Sequence, residues 1–173
     1  SFTLLAVEGT WPVVAGLVAG GVLAAPFAAR LCRGLRPRLL LDVSASMAFG
    51  AKISKLDYGK TLGACLTYLV HKQRDRVGLV TFDTDVVDRV PPSAKHLDVV
   101  LHTLERAKAT RPGHLSAPLK KLAEHFGRRG VVVLISDLYD EPEAIFEALA
   151  PIRFRGSDVV VFHVLDPAEL EFP

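Results

Sequence analysis

LLLDVSASMAFG, residues Leu39 to Gly50, sets three leucines in front of an aspartate and then two serines at alternate positions. An apolar run this short, with no polar alternation, reads as a strand buried on both faces, as in a parallel sheet covered by helices. A purely structural strand has no need of Asp42, Ser44 and Ser46 at its tip. The carboxylate and the two hydroxyls are oxygen donors on one side of a loop, which suits a hard divalent cation. A turn rich in small polar residues is the plainer alternative.

The pattern continues regularly from Arg38. Leu56, Leu62, Cys65, Leu66, Leu69 and Val70 predict a helix over 55–73, and RVGLVTF (76–82) a second strand. DVVDRV (85–90) predicts an edge strand that stops at Pro91–Pro92. Helices are expected over about 94–109 and from Leu115 to near Gly127–Gly130, on either side of the breaker TRPG. VVVLIS (131–136) is the most strand-like run. Asp140, Pro142 and Glu143 then read as an N-cap, an early proline and a capping-box acid for a helix to about Ile152. DVVVFHV (158–164) is the last clear strand, and DPAELEFP an acidic tail that adds a further strand or is cut short. Strands alternating with helices predict an α/β fold: a doubly wound, mostly parallel sheet with one antiparallel edge strand and helices on both faces. In such a sheet the ligand site lies beyond the strand C-termini where the winding reverses. Two strands end in an acid there, at Asp42 and Asp137, and two neighbouring carboxylates repel unless a cation lies between them.

The bulk numbers exclude several classes. The 173 residues are half hydrophobic and 23% charged, enough for one domain with a real core and inconsistent with disorder. A net charge of +2 gives no argument for nucleic acid as a partner. Cys32 and Cys65 lack metal-ligand spacing and fit a reducing compartment. Residues 1–38 form a separate apolar segment ahead of a domain at 39–173. Trp11 to Ala29 carries no charged side chain over 19 residues, long enough for a membrane helix, though Pro12, Pro26 and three glycines interrupt it. The following Arg30, Arg33, Arg36 and Arg38 would hold its end in the cytoplasm, giving a cytoplasmic domain anchored to the inner membrane. Asp83 and Asp85 read as a solvated hairpin turn, His163 as a packed histidine, and the other five histidines show no shared zinc face. No G-x-S-x-G elbow, phosphate loop or G-x-G-x-x-G is present. A phosphotransferase with Asp42 as nucleophile would need a second acid where Ser44 stands.

Asp-x-Ser-x-Ser after a first strand, with an acid after the fourth, resembles the metal-ion-dependent adhesion site of von Willebrand factor A domains. LLLDVSASM, DRVGLVTFD, RRGVVVLISDL and VVVFHVLDPAELEFP are similar to a bacterial branch of uncharacterised A-type domains associated with MoxR-type AAA+ ATPases. The resemblance implies a protein-interaction module holding Mg2+ (or Mn2+ or Ca2+) on Asp42, Ser44, Ser46 and Asp137, its coordination completed by a partner's acidic residue. It also implies work with a MoxR-type ATPase in protein assembly or maturation. One departure stands out: the threonine ligand usual before the third helix is replaced by Gly113 in RPGHLSAPL, with Thr110, His114 and Ser116 nearby but out of register. The alternatives are a metal-free scaffold that has lost the site and, third, a Mg-dependent phosphatase or hydrolase.

Overall fold

A computed structural model describes residues 37–125 and 130–170. The apolar run at 11–29 and its arginine flank up to Arg36 lie outside the described residues. Among the described residues no helix is long and apolar enough to cross a membrane.

The elements are β1 (Arg38–Asp42), a 3-10 turn (Ala45–Ala48), α1 (Lys55–Lys72), β2 (Val77–Phe82), β3 (Val86–Ser93), α2 (Leu97–Arg106), α3 (Ser116–His125), β4 (Val131–Ser136), α4 (Pro142–Phe154), β5 (Asp158–His163) and α5 (Pro167–Leu170). The sheet order is β3-β2-β1-β4-β5. β1 is flanked in parallel by β2 and β4, β5 adds in parallel, and β3 is the one antiparallel strand, at the edge. The winding reverses at β1, as the doubly wound reading requires.

Alternation along β1 divides the core. Leu39 and Leu41 pack into a cluster with Leu56 of α1 and Val100 and Leu104 of α2. Leu40 points into a second cluster with Leu119 of α3 and Leu149 of α4. Both faces of the strand are dry, which is why its sequence shows no polar alternation.

Three sequence expectations are corrected. β3 runs through Pro91 and Pro92 to Ser93. An edge strand needs no donors on its outer side, and the register shifts between Val77 and Leu79, where Gly78 leaves room for the Pro92 ring. A Cβ on Gly78 would come within 2.9 Å of that ring. The N-cap of α4 is Glu141, because Asp140 is used elsewhere: its Oδ2 accepts the Leu115 amide at 3.1 Å. The tail forms the short α5 over Pro167–Leu170 and adds no strand there.

Candidate functional site

β1 and β4 are neighbours, so Asp42 and the residue after β4, Asp137, arrive at the same end of the sheet. A pocket of about 230 Å3 opens there, walled by Asp42, Ser44, Ser46, Gly113, Asp137 and Tyr139 among others. The structure thus brings all four proposed site residues together. Asp42 Oδ1 accepts the Ser44 amide at 2.8 Å, which folds the chain sharply after the strand, and the Ser44 and Ser46 hydroxyls then lie 3.0 Å apart. Thr110, His114 and Ser116 do not line this pocket.

Gly113 explains the missing threonine. The Arg111 carbonyl accepts the Ala45 amide at 2.7 Å, and the Arg111 guanidinium lies 3.1 Å from Asp83. These contacts press the loop onto Ser44 so closely that a Cβ at position 113 would sit 2.4 Å from the Ser44 Cβ. Asp83 is therefore buried, 4% exposed, and is no solvated turn residue; Asp85 is exposed and pairs with Lys121 at 3.0 Å.

Three polar residues that sequence reasoning passed over complete the site. Ser136, fully buried, donates its hydroxyl to Asp42 Oδ2 at 2.6 Å. Lys55, only 3% exposed, places its ammonium 2.8 Å from Asp137 Oδ2 and 2.6 Å from Glu169 Oε1. The one available signal for Lys55 was its phase: it heads the buried stripe of α1 that continues through Gly59, Gly63 and Thr67. Glu169 comes from α5 and also accepts the Asp166 amide at 2.8 Å. His163 is an exposed edge residue whose Nε2 lies 2.9 Å from the Asp137 carbonyl oxygen, not a packed histidine.

Two carboxylates, Asp137 and Glu169, thus share one ammonium, while Asp42 is held by the Ser44 amide and the Ser136 hydroxyl. Burial pushes the Asp42 carboxyl above its ordinary 3.8, and the nearby Asp137 charge adds to that; hydrogen bonds from Ser136 and Ser44 oppose it without cancelling it. A raised value means that native Asp42 takes up its proton more readily than the unfolded chain does. Its ionised form therefore costs stability above the folded value, and the cost is relieved as pH falls through that value toward 3.8. Asp42→Asn keeps an acceptor for the Ser44 amide and turns an NH2 toward the Ser136 hydroxyl, which must then accept instead of donate. With the buried charge removed, stability is expected to rise by about 1 kcal/mol at pH 7 without added metal. The gain should vanish near pH 4; urea unfolding at the two pH values measures it.

The donor set fits a small divalent cation in part. The Ser44 and Ser46 hydroxyls share a hydrogen bond at 3.0 Å, and two oxygens in adjacent positions on Mg2+, each at about 2.1 Å, would stand at a similar spacing. The pocket has room for an ion and several of its waters, taking about 30 Å3 per water. Among the described residues no group of three or more His, Cys, Asp or Glu side chains could hold a metal, so hydroxyls and water would have to supply much of the shell.

Sheet order, antiparallel edge and a polar pocket at the β1–β4 switch point define a doubly wound α/β domain with its candidate site at the carboxyl ends of the strands. The chain belongs to the protein family of unknown function DUF58, whose model matches residues 30–173. It is 32% identical over 149 residues to the uncharacterized protein Rv1480 of Mycobacterium tuberculosis, covering 82% of this chain and 46% of that protein. The chain therefore spans about half the length of the curated relatives it matches. Among solved structures it is similar to an aerotolerance-related membrane protein from Bacteroides fragilis, with a TM-score of 0.62 and 23% identity over 76% of this chain and 68% of that one. It is also similar to the conserved hypothetical protein BatB from Bacteroides thetaiotaomicron, with a TM-score of 0.60 and 21% identity over 74% and 65% of the two chains. At these identities the likeness is one of fold.

Proposed function

We propose that the domain is a protein-interaction module, without catalysis of its own, that presents a divalent cation at the tip of β1 to an acidic residue of a partner. The observation that carries this reading is the serine hydroxyl pair, 3.0 Å apart in a pocket shared with two buried carboxylates. Asp42 and Asp137 would supply the negative charge, Ser44 and Ser46 neutral oxygens, and the cation an electrophilic centre for the partner's carboxylate. The resemblance of the β1 and β4 motifs to A-type domains associated with MoxR-type AAA+ ATPases supports such an ATPase as the machine served, in assembly or maturation of other proteins. The uncharged run at 11–29 supports an anchor in the membrane, and the Bacteroides fragilis neighbour is itself described as a membrane protein.

Calorimetric titration with Mg2+ and Mn2+ tests the reading. Weak binding is expected, with Kd in about the 10⁻⁴–10⁻³ M range of cation sites with few charges, and Asp42→Asn should abolish it. Gly113 and the Lys55 ammonium on Asp137 favour the second reading, a metal-free scaffold of the same fold. Heats equal in wild type and Asp42→Asn would establish the scaffold.

A further inference from the structure

The charge of the domain is polarised along its strands, independently of any metal. The site end carries Asp42, Asp83, Asp137, Asp140, Glu141 and Glu169 against the fewer basic residues Lys52, Lys55 and Arg111, the last two of them paired with these acids. At the opposite end, where the parallel strands begin, Lys72, Arg74, Arg76, Lys95, Arg153 and Arg155 are all exposed. The acids interleaved there, Asp75, Asp98, Glu124 and Asp158, are fewer. The basic residues surround bare apolar side chains. Phe154 stands between two arginines at the end of α4 and is 93% exposed, and Leu69 in the last turns of α1 is 55% exposed. Tyr68 is half exposed, with the Lys72 ammonium 5.4 Å from its ring centre.

Arg74 follows α1 in the left-handed region, with φ of 59°, where glycine or asparagine would sit without strain. The Asp75 amide donates to the Val70 carbonyl at 3.2 Å, the bond of a Schellman cap, so the left-handed residue closes the helix and glycine would suit the position.

We infer that this basic end is a docking face for an anionic phospholipid surface. Arginines and lysines around exposed Phe, Tyr and Leu side chains match the headgroup–acyl boundary, where charge meets phosphate and rings enter the interface. Phe154 and Tyr68 belong to separate helices and form no row on which successive bases could stack, which disfavours single-stranded nucleic acid. Pro37, through which the preceding sequence with Arg30, Arg33 and Arg36 joins the domain, is also at this end: its carbonyl accepts the Gly78 amide at the start of β2. The site end is left facing away from the lipid, toward a partner.

Hydrogen exchange of the full chain on lipid vesicles tests this. With vesicles of phosphatidylglycerol and phosphatidylcholine, segments 68–76, 93–98 and 152–156 should exchange at least tenfold more slowly, while 138–142 is unchanged. Pure phosphatidylcholine should give no such protection, even where another part of the chain holds the protein on the vesicle. Removing three charges, with Lys72→Gln, Arg74→Gly and Arg155→Gln together, should weaken docking by about a hundredfold, at roughly fivefold per charge, and abolish the protection. The folded state should be kept, since all three side chains are exposed and glycine suits position 74. Equal protection on both vesicle types, protection at the site end, or full protection in the triple variant would overturn the proposal. So would duplex DNA that protects the same segments and displaces the vesicles at equal phosphate concentration, which would make the face a nucleic-acid surface.

Discussion

Lys55→Met should destabilise this domain by about 3–5 kcal/mol. The ammonium is 3% exposed and bridges Asp137 and Glu169 at 2.8 and 2.6 Å, so its loss leaves the buried Asp137 carboxylate with no positive partner among the described residues. Methionine fills the same volume, so a cavity makes little contribution and the cost is electrostatic. The melting temperature should fall by roughly 10 °C, at 2–4 °C per kcal/mol for a domain near this size. Lys55→Met with Asp137→Asn should recover most of the loss, because the uncompensated charge goes with it; a double-mutant cycle measures the coupling. A single-variant cost below about 1 kcal/mol would mean that the pair is solvated. Burial alone would lower the Lys55 value, but its bonds to Asp137 and Glu169 outweigh that and hold it above 10.5, so its contribution persists below 10.5 and is lost as pH rises through the folded value. Burial likewise works to raise Glu169, yet the bonds from Lys55 and the Asp166 amide hold it below 4.5. Its contribution is present above 4.5 and is lost as pH falls through the folded value. The cluster is therefore intact across the neutral range, and acid should release α5 first.

The strands that decide the fold were legible because they are buried on both faces, and nothing but apolar residues fits there. VVVLIS matches β4 at both ends, and Asp42 and Asp137 could be paired from sequence because a doubly wound sheet sends β2 and β4 to opposite sides of β1. What was illegible depended on contacts between distant parts of the chain. Lys55 meets Asp137 across 82 residues and Glu169 across 114, and no local pattern reports such a meeting. Ser136 looked like the end of an apolar run, yet its hydroxyl reaches Asp42 across 94 residues. Pro91 and Pro92 signalled a strand end by a rule that holds for central strands. β3 has an outer edge that needs no donors, and a glycine opposite to receive the ring. Asp83 looked solvated because its neighbours Thr84 and Asp85 are; only the approach of the 111–113 loop buries it.

Gly113→Thr should do the reverse of what the motif comparison alone suggests. By motif, the threonine restores the missing oxygen ligand and tightens cation binding. By geometry, its Cβ would stand 2.4 Å from the Ser44 Cβ, well inside contact distance, before any hydroxyl is placed. The loop cannot readily retreat: the Ala45 amide holds it through the Arg111 carbonyl, and the Arg111 guanidinium is tied to the buried Asp83. The strain must then be taken by Ser44, which is 4% exposed and is half of the hydroxyl pair. Overpacking of this kind costs about 1–3 kcal/mol, and displacing the Ser44 hydroxyl from its partner should weaken Mg2+ or Mn2+ binding by about tenfold or more. Gly113→Ala separates clash from chemistry, because it adds the offending carbon without the hydroxyl and should show a similar loss in both urea unfolding and calorimetry. Tighter cation binding in Gly113→Thr, with Gly113→Ala unchanged from wild type, would show that the loop yields and that the site lacks only its ligand. A loss of stability in both variants would show instead that the chain has closed the position against Ser44, and that any cation held there must make do with the two serines, the two aspartates and water.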